Sequence, residues 1–133
     1  MVKQILEDYI QFIKVFDNLI RKEKNIGENQ SILNVKGISF QRYGEIGGYI
    51  YQFHGFGCRL EKDNIVCEYD YNVKNITFSL WKFKQFITTH PKYKNENFSD
   101  KYLELELYKL IEKGELFWMI DGGIVWKIYQ YNL

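Results

Sequence analysis

Apolar side chains recur at helical spacing from Val2 to Ile20. Val2, Ile5, Leu6, Tyr9, Ile10, Ile13, Phe16, Leu19 and Ile20 form one stripe, with Glu7, Asp8, Lys14, Asn18 and Arg21 mostly between them. The pattern predicts an amphipathic helix of about six turns, ending near Lys24. Asn25 to Gly37 then reads as a loop, with Ser31 to Leu33 packing loosely, and Ile38 to Tyr43 as a short strand.

From Gly47 to Tyr71 the period changes to two, in GGYIYQFHGFGCRLEKDNIVCEYDY. Gly55-Phe56 suits a two-residue type II′ turn and Asp63-Asn64 a type I′ turn, so the stretch predicts a meander of three strands. These turns set the register. Phe53 faces Cys58, which faces Tyr69, and Tyr51 faces Leu60, which faces Cys67. Tyr49, Tyr51, Phe53, Cys58, Leu60, Ile65, Cys67 and Tyr69 then share one apolar face, the natural core side. Both turns, assigned independently, give the same sidedness.

After Val73-Lys74-Asn75, Leu80, Phe83, Phe86 and Ile87 mark a second helix, N-capped by Ser79 and ended by Pro91. Lys92 to Asn97 is a loop. Ser99 caps a third helix carrying Leu103, Leu107, Leu110 and Ile111, closed by Gly114. LFWMI and IVWKIY form a C-terminal hairpin turning at Asp121-Gly122-Gly123. The expected fold class is α+β: one domain over residues 1–133, its antiparallel sheet (the central three-stranded meander plus the C-terminal hairpin) covered on one side by about three helices.

Length and composition narrow the function. At 133 residues the chain holds one continuous core and is too short for two. Aromatic residues reach 18% while alanine is absent, through the base composition of the gene or a Tyr-rich binding surface. A net charge of +1 gives no overall field for nucleic acid or an anionic membrane. Two cysteines, Cys58 and Cys67, are too few for a disulfide scaffold or a four-ligand zinc site. No uncharged apolar run approaches membrane-spanning length, and charge interrupts the N-terminal segment every few residues, unlike a secretory signal. The expectation is a cytoplasmic protein with reduced thiols, no cofactor, no metal, and no nucleic-acid or membrane partner.

The polar face of the meander gathers the candidate chemistry. Gln52 lies beside Arg59 beside Glu68, and His54 beside Gly57 beside Asp70. Arg59 and Glu68, directly opposed, form a cross-strand ion pair of about 0.2–1 kcal/mol. Gly57 leaves a gap between His54 and Asp70, which stand about two strand spacings, or roughly 9–10 Å, apart, with room for a water or ligand. Three readings stay open: a solvated face, a partner-binding patch, or a catalytic site using His54 with Asp70 or Glu68. Cys58 points to the opposite face, which argues against a Cys–His dyad. His54, Glu68 and Asp70 lack a recognisable metal-ligand spacing.

Other features carry less. GEIGG at Gly44 to Gly48 runs into a strand, so it is no phosphate loop. His90, before Pro91, is a helix C-terminal capping residue. Glu104, Glu106 and Glu112 fall on the solvated side of the third helix, and Trp81, Trp118 and Trp126 at core-like positions. Lys82, Lys84, Lys92 and Lys94, mixed with Phe and Tyr, lack the charge excess of a nucleic-acid site.

The string YQFHGFGCRLE, the acidic strand EYDY and the helix after them resemble an uncharacterised family of small bacterial proteins. That family is similar to the immunity proteins of contact-dependent and other polymorphic toxin systems. The resemblance implies a cytosolic antitoxin that binds its cognate toxin domain and blocks the active site. It carries no catalytic residues. The expected partner-binding residues are Gln52, His54, Arg59, Glu61, Glu68 and Asp70, and oligomeric state is left open. Acidic mimicry of a nucleic acid would be local, from Glu61, Asp63, Glu68 and Asp70. The alternative is a small enzyme or ligand-binding domain built on His54.

Overall fold

The N-terminal periodicity becomes helix α1, Val2–Lys24, which buries Val2, Ile5, Leu6, Tyr9, Ile10, Ile13, Phe16 and Ile20. Asn25 ends it in the left-handed conformation, φ 56° and ψ 47°, and donates its N–H to the Arg21 carbonyl. Arg21 pins the following turn through Nη1, at 2.6 Å from the Gly27 carbonyl and 2.7 Å from that of Gln30, while Nε pairs with Asp17 at 2.9 Å. A computed structural model describes residues 1–30, 32, 43–55, 57–71, 75–120 and 127–133, apart from the side chains of residues 71, 118–120 and 127. Within the expected loop, Ile32 is buried.

Among the described residues seven strands follow in one sheet: β1 Tyr43–Ile46, β2 Tyr49–His54, β3 Gly57–Lys62, β4 Ile65–Tyr71, β5 Asn75–Ser79, β6 Phe117–Ile120 and β7 Lys127–Asn132. Their order is β1-β2-β3-β4-β5-β7-β6, and every neighbouring pair is antiparallel. The meander has the expected register, with Phe53 opposite Cys58 opposite Tyr69 and Tyr51 opposite Leu60 opposite Cys67. Asp63 and Asn64 both take positive φ, 52° and 68°, as a type I′ turn requires. Gly55 has φ 58°, and its partner Phe56 lies outside the described residues. The C-terminal hairpin forms too, pairing Phe117 with Gln130 and Ile120 with Lys127, with its Asp121-Gly123 turn outside the described residues.

Two strands extend this scheme. Of the expected strand Ile38 to Tyr43, only Tyr43 is described, and it begins β1, which folds back through Gly47 and Gly48 at φ 55° and 84°. Strand β5 lies between the meander and the hairpin and buries Ile76 and Phe78.

Helices α2, Leu80–Thr89, and α3, Asp100–Glu112, both start where expected. Ser79 accepts from the Lys82 N–H and Ser99 from the Tyr102 N–H. Gly114, at φ 76°, closes α3 in a Schellman arrangement: its N–H reaches the Ile111 carbonyl and that of Glu115 the Leu110 carbonyl. His90 is the C-cap residue of α2, as expected, but through its backbone. Its N–H bonds to the Phe86 carbonyl, while its Nδ1 accepts from the Lys92 N–H at 3.1 Å and so braces the Pro91 turn.

Among the described residues, strand β4 pairs with β5 only at Asp70–Thr77 and Tyr71–Ile76. Below that point α2 takes the place of a strand. Thr89 Oγ1 accepts the Val66 N–H at 3.0 Å and donates to the Gln85 carbonyl one turn back, so this length of strand edge is covered rather than open.

The core lies between the helices and one sheet face. Tyr9 packs its ring against Phe78, Phe83 and Phe86 at 5.0–5.8 Å, and Phe16 packs against Tyr51 at 5.4 Å. Two buried phenols tie α1 to the sheet: Tyr9 donates to the Glu68 carbonyl at 2.6 Å, and Tyr49 to the Phe12 carbonyl at 2.9 Å. Among the described residues six tyrosines are buried, Tyr9, Tyr49, Tyr51, Tyr69, Tyr93 and Tyr129, so much of the aromatic content serves packing. Trp81 departs from its expected core position: it is 62% exposed, because α2 buries Phe83, Phe86 and Ile87 and turns Trp81 outward. The side chains of Trp118 and Trp126 are not among those described.

Candidate functional site

The face of β1–β4 away from the helices is a lattice fixed by strand pairing. One row reads Tyr43, Gln52, Arg59, Glu68. The next, toward the Asp63-Asn64 turn, reads Glu45, Ile50, Glu61, Val66. On the other side, His54, Gly57, Asp70 and Thr77 form a third. All six expected site residues, Gln52, His54, Arg59, Glu61, Glu68 and Asp70, therefore share this face. The sequence places them together because a period of two returns each to the same side.

Arg59 is the centre of the charge pattern. Its Nε lies 3.5 Å from Glu68 Oε1 across the strands, the expected pair. Its Nη1 also lies 3.2 Å from Glu61 Oε2, two residues along the same strand. Such half-exposed pairs add little stability, about 0–1 kcal/mol each. Their effect is to hold three long side chains in one arrangement. Glu68 is the best shielded of the three, with 15% of its side chain exposed.

Asp70 has a partner from outside the meander. Lys82 of α2 brings its ammonium to 3.2 Å from Asp70 Oδ2, with 18% of the lysine side chain exposed. This residue was missed as part of the site. The readable signal was the Ser79 cap, which sets Lys82 in the first turn; what hid the contact was β5, which carries that turn alongside β4. Tyr43 and Ile50 were missed as well. They are 68% and 39% exposed and put apolar surface beside the charges.

The space over Gly57 is smaller than backbone spacing suggested. A Cβ built there would lie 2.9 Å from Asp70 Oδ1, 3.1 Å from His54 Cε1 and 3.3 Å from His54 Nδ1. Both side chains lean over the glycine and narrow the gap expected to admit a ligand. The imidazole and the carboxylate are thus no more than twice that distance apart, closer than their strands are.

Cys58 and Cys67 are free, buried thiols on the face of the sheet opposite His54. Burial pushes Cys58 up to about 12, with the Tyr69 hydroxyl opposing the shift slightly, and pushes Cys67 well above the ordinary thiol range. Neither is a nucleophile at neutral pH. Among the described residues no three His, Cys, Asp or Glu side chains are placed to hold a metal ion, and no helix is long and apolar enough to cross a membrane. A cavity of about 510 Å³, bordered by Lys3, Glu7, Glu115 and Phe117 near the start of α1, shares no residue with the site.

No curated protein and no solved structure matches the chain. One family model does, over residues 2–130, nearly the whole length. The chain belongs to the family described as a domain of unknown function (DUF6896).

Proposed function

We propose that this protein is a bacterial immunity protein, an antitoxin that binds and neutralises a cognate toxin domain in the cytoplasm. The observation that supports this most is the open face of the meander. Arg59, Glu61 and Glu68 are interlocked on a rigid three-stranded element, Asp70 is held by Lys82, and exposed Tyr43 and Ile50 flank the charges. Preset charges around an apolar group suit protein recognition, where aromatic and aliphatic anchors supply affinity and ordered charges supply specificity. The resemblance of YQFHGFGCRLE to immunity proteins adds to this reading.

Neutralisation calls for an interface of about 1,200–2,000 Å² in total and nanomolar affinity. Titrating the toxin domain encoded beside this gene against wild type, Arg59→Ala and Asp70→Lys tests the proposal. Each variant should lose affinity by about 2–5 kcal/mol, because a charge left unpaired in a dry interface is costly. Undiminished binding by both would move the interface to the helices, and no binding by wild type would end the immunity reading.

One observation favours the alternative, a small enzyme or ligand-binding domain: His54 and Asp70 converge over Gly57. A metal ion or small molecule retained by the wild type and lost in His54→Ala would support it.

A further inference from the structure

Helix α3 is apolar on two sides. Leu103, Leu107 and Leu110 are buried against the core. On the outer side Tyr102, Leu105 and Tyr108 are 40%, 53% and 47% exposed, at a spacing of three that keeps them on one face. A helix with a single buried stripe would carry polar residues there. The stretch Lys101 to Lys109 reads KYLELELYK, the same in both directions about Leu105.

We infer that the outer face of α3 is a self-association surface on which two copies of this chain pack antiparallel about Leu105. In such a two-fold pair residue i meets the residue equally far on the other side of the centre. Leu105 then meets its own copy, and Tyr102 meets Tyr108 of the second copy, so the palindrome sets apolar against apolar along the seam. Phe98 stacks on Tyr102, with ring centroids 5.4 Å apart and planes at 14°, which holds that ring in place and lengthens the patch.

One pair of charges near the two ends of the helix fits the same arrangement. Lys101 and Glu112, both exposed, are eleven residues apart, three helical turns, and so share the outer face. In the antiparallel pair each Lys101 lies within about 4.5 Å along the axis of Glu112 from the second copy, and symmetry repeats the contact. The same symmetry brings Lys101 level with Lys109, and Glu104 level with Glu106, of the second copy; within each copy Lys109 and Glu106 already neutralise each other at 3.0 Å. Because α3 packs on the helix side, pairing there leaves the open sheet face accessible. A helix about 20 Å long buries less than a standard interface, so the dimer is weak, in the micromolar range.

Sedimentation equilibrium of the full chain from about 1 to 500 μM tests this. The expected result is a mass rising from 16.1 kDa towards twice that value. Leu105→Glu, at an exposed position, should keep the protein monomeric with its circular dichroism spectrum unchanged. Lys101→Glu and Glu112→Lys should each weaken association by about threefold or more, and the double exchange should restore it. A monomer throughout the range, a dimer indifferent to Leu105→Glu, or no rescue by the double exchange would overturn the inference.

Discussion

Tyr9 donates its phenolic hydrogen to the backbone carbonyl of Glu68 at 2.6 Å. The residue whose carboxylate faces Arg59 on the open side is thereby held by its main chain from the helix side. Core and candidate site meet at this one position of β4, so the charge pattern rests on the packing of α1.

Replacing Tyr9 with Phe removes that tie and keeps the ring contacts. Stability should fall by about 1 kcal/mol, the net worth of a buried hydrogen bond, and Tm by about 2–6 °C. Affinity for the proposed toxin partner should stay within about twofold of wild type, since one hydrogen bond below the sheet leaves the Arg59 contacts above it in place. Thermal melts paired with the titration check both halves. An unchanged Tm would show that the Glu68 carbonyl finds another donor.

Gly57→Ala should separate fold from function in the opposite sense. The added methyl meets the ends of the Asp70 and His54 side chains at 2.9 and 3.1 Å, and these are flexible groups that can swing away. Tm should move by no more than a few degrees, while the His54–Asp70 arrangement is lost and binding weakens. His54→Ala, at an exposed position, should likewise leave Tm nearly unchanged. A collapse of stability in either variant would mean that the imidazole or the carboxylate is structural.

The meander was legible because two turns fixed one register, and a period of two then assigned every side chain from Tyr49 to Asp70 to a face. Helices α1, α2 and α3 were legible from their stripes and from Ser79, Ser99 and Gly114. Strand β1 was not, since Tyr43 to Ile46 has no alternation of apolar residues and exists because Gly47 and Gly48 turn it onto β2. Strand β5 was obscured by its five-residue length and by the helix signals that follow. That omission had a further cost: without β5 the first turn of α2 could not be placed beside Asp70, and Lys82 was assigned to a basic run. Trp81 was read at a core-like position, whereas the α2 stripe runs through Phe83, Phe86 and Ile87.

The two thiols should be silent in the native protein. Cys58 and Cys67 are both 0% exposed, and burial keeps them protonated. A disulfide-exchange reagent should find no reactive thiol under native conditions and two after unfolding without reductant. Cys67→Ser should cost about 1–3 kcal/mol by placing a hydroxyl in an apolar site. Rapid native labelling would show that the sheet opens locally.

Stability should fall off in alkali and be flat in the neutral range. Burial lifts Tyr49, Tyr93 and Tyr129 to about 12, with the Asp8 hydrogen bond adding to the effect at Tyr93, and lifts Tyr9 and Tyr69 well above the ordinary phenol range. For a group raised in the folded state, the unfolded chain loses its proton first. Its contribution is therefore fully present below the unfolded pKa, near 9 for the thiols and near 10 for the phenols, and is lost as pH rises towards the folded value. His90 works at the other end. Burial lowers it, so its contribution is present above about 6.5 and lost as pH falls through the folded pKa. Urea midpoints measured from pH 5 to 11 should show a plateau between about 7 and 9, a shallow decline below it and a steep one above. A midpoint that held steady to pH 11 would contradict the buried state of these phenols, and with it the packing of α1 onto the sheet.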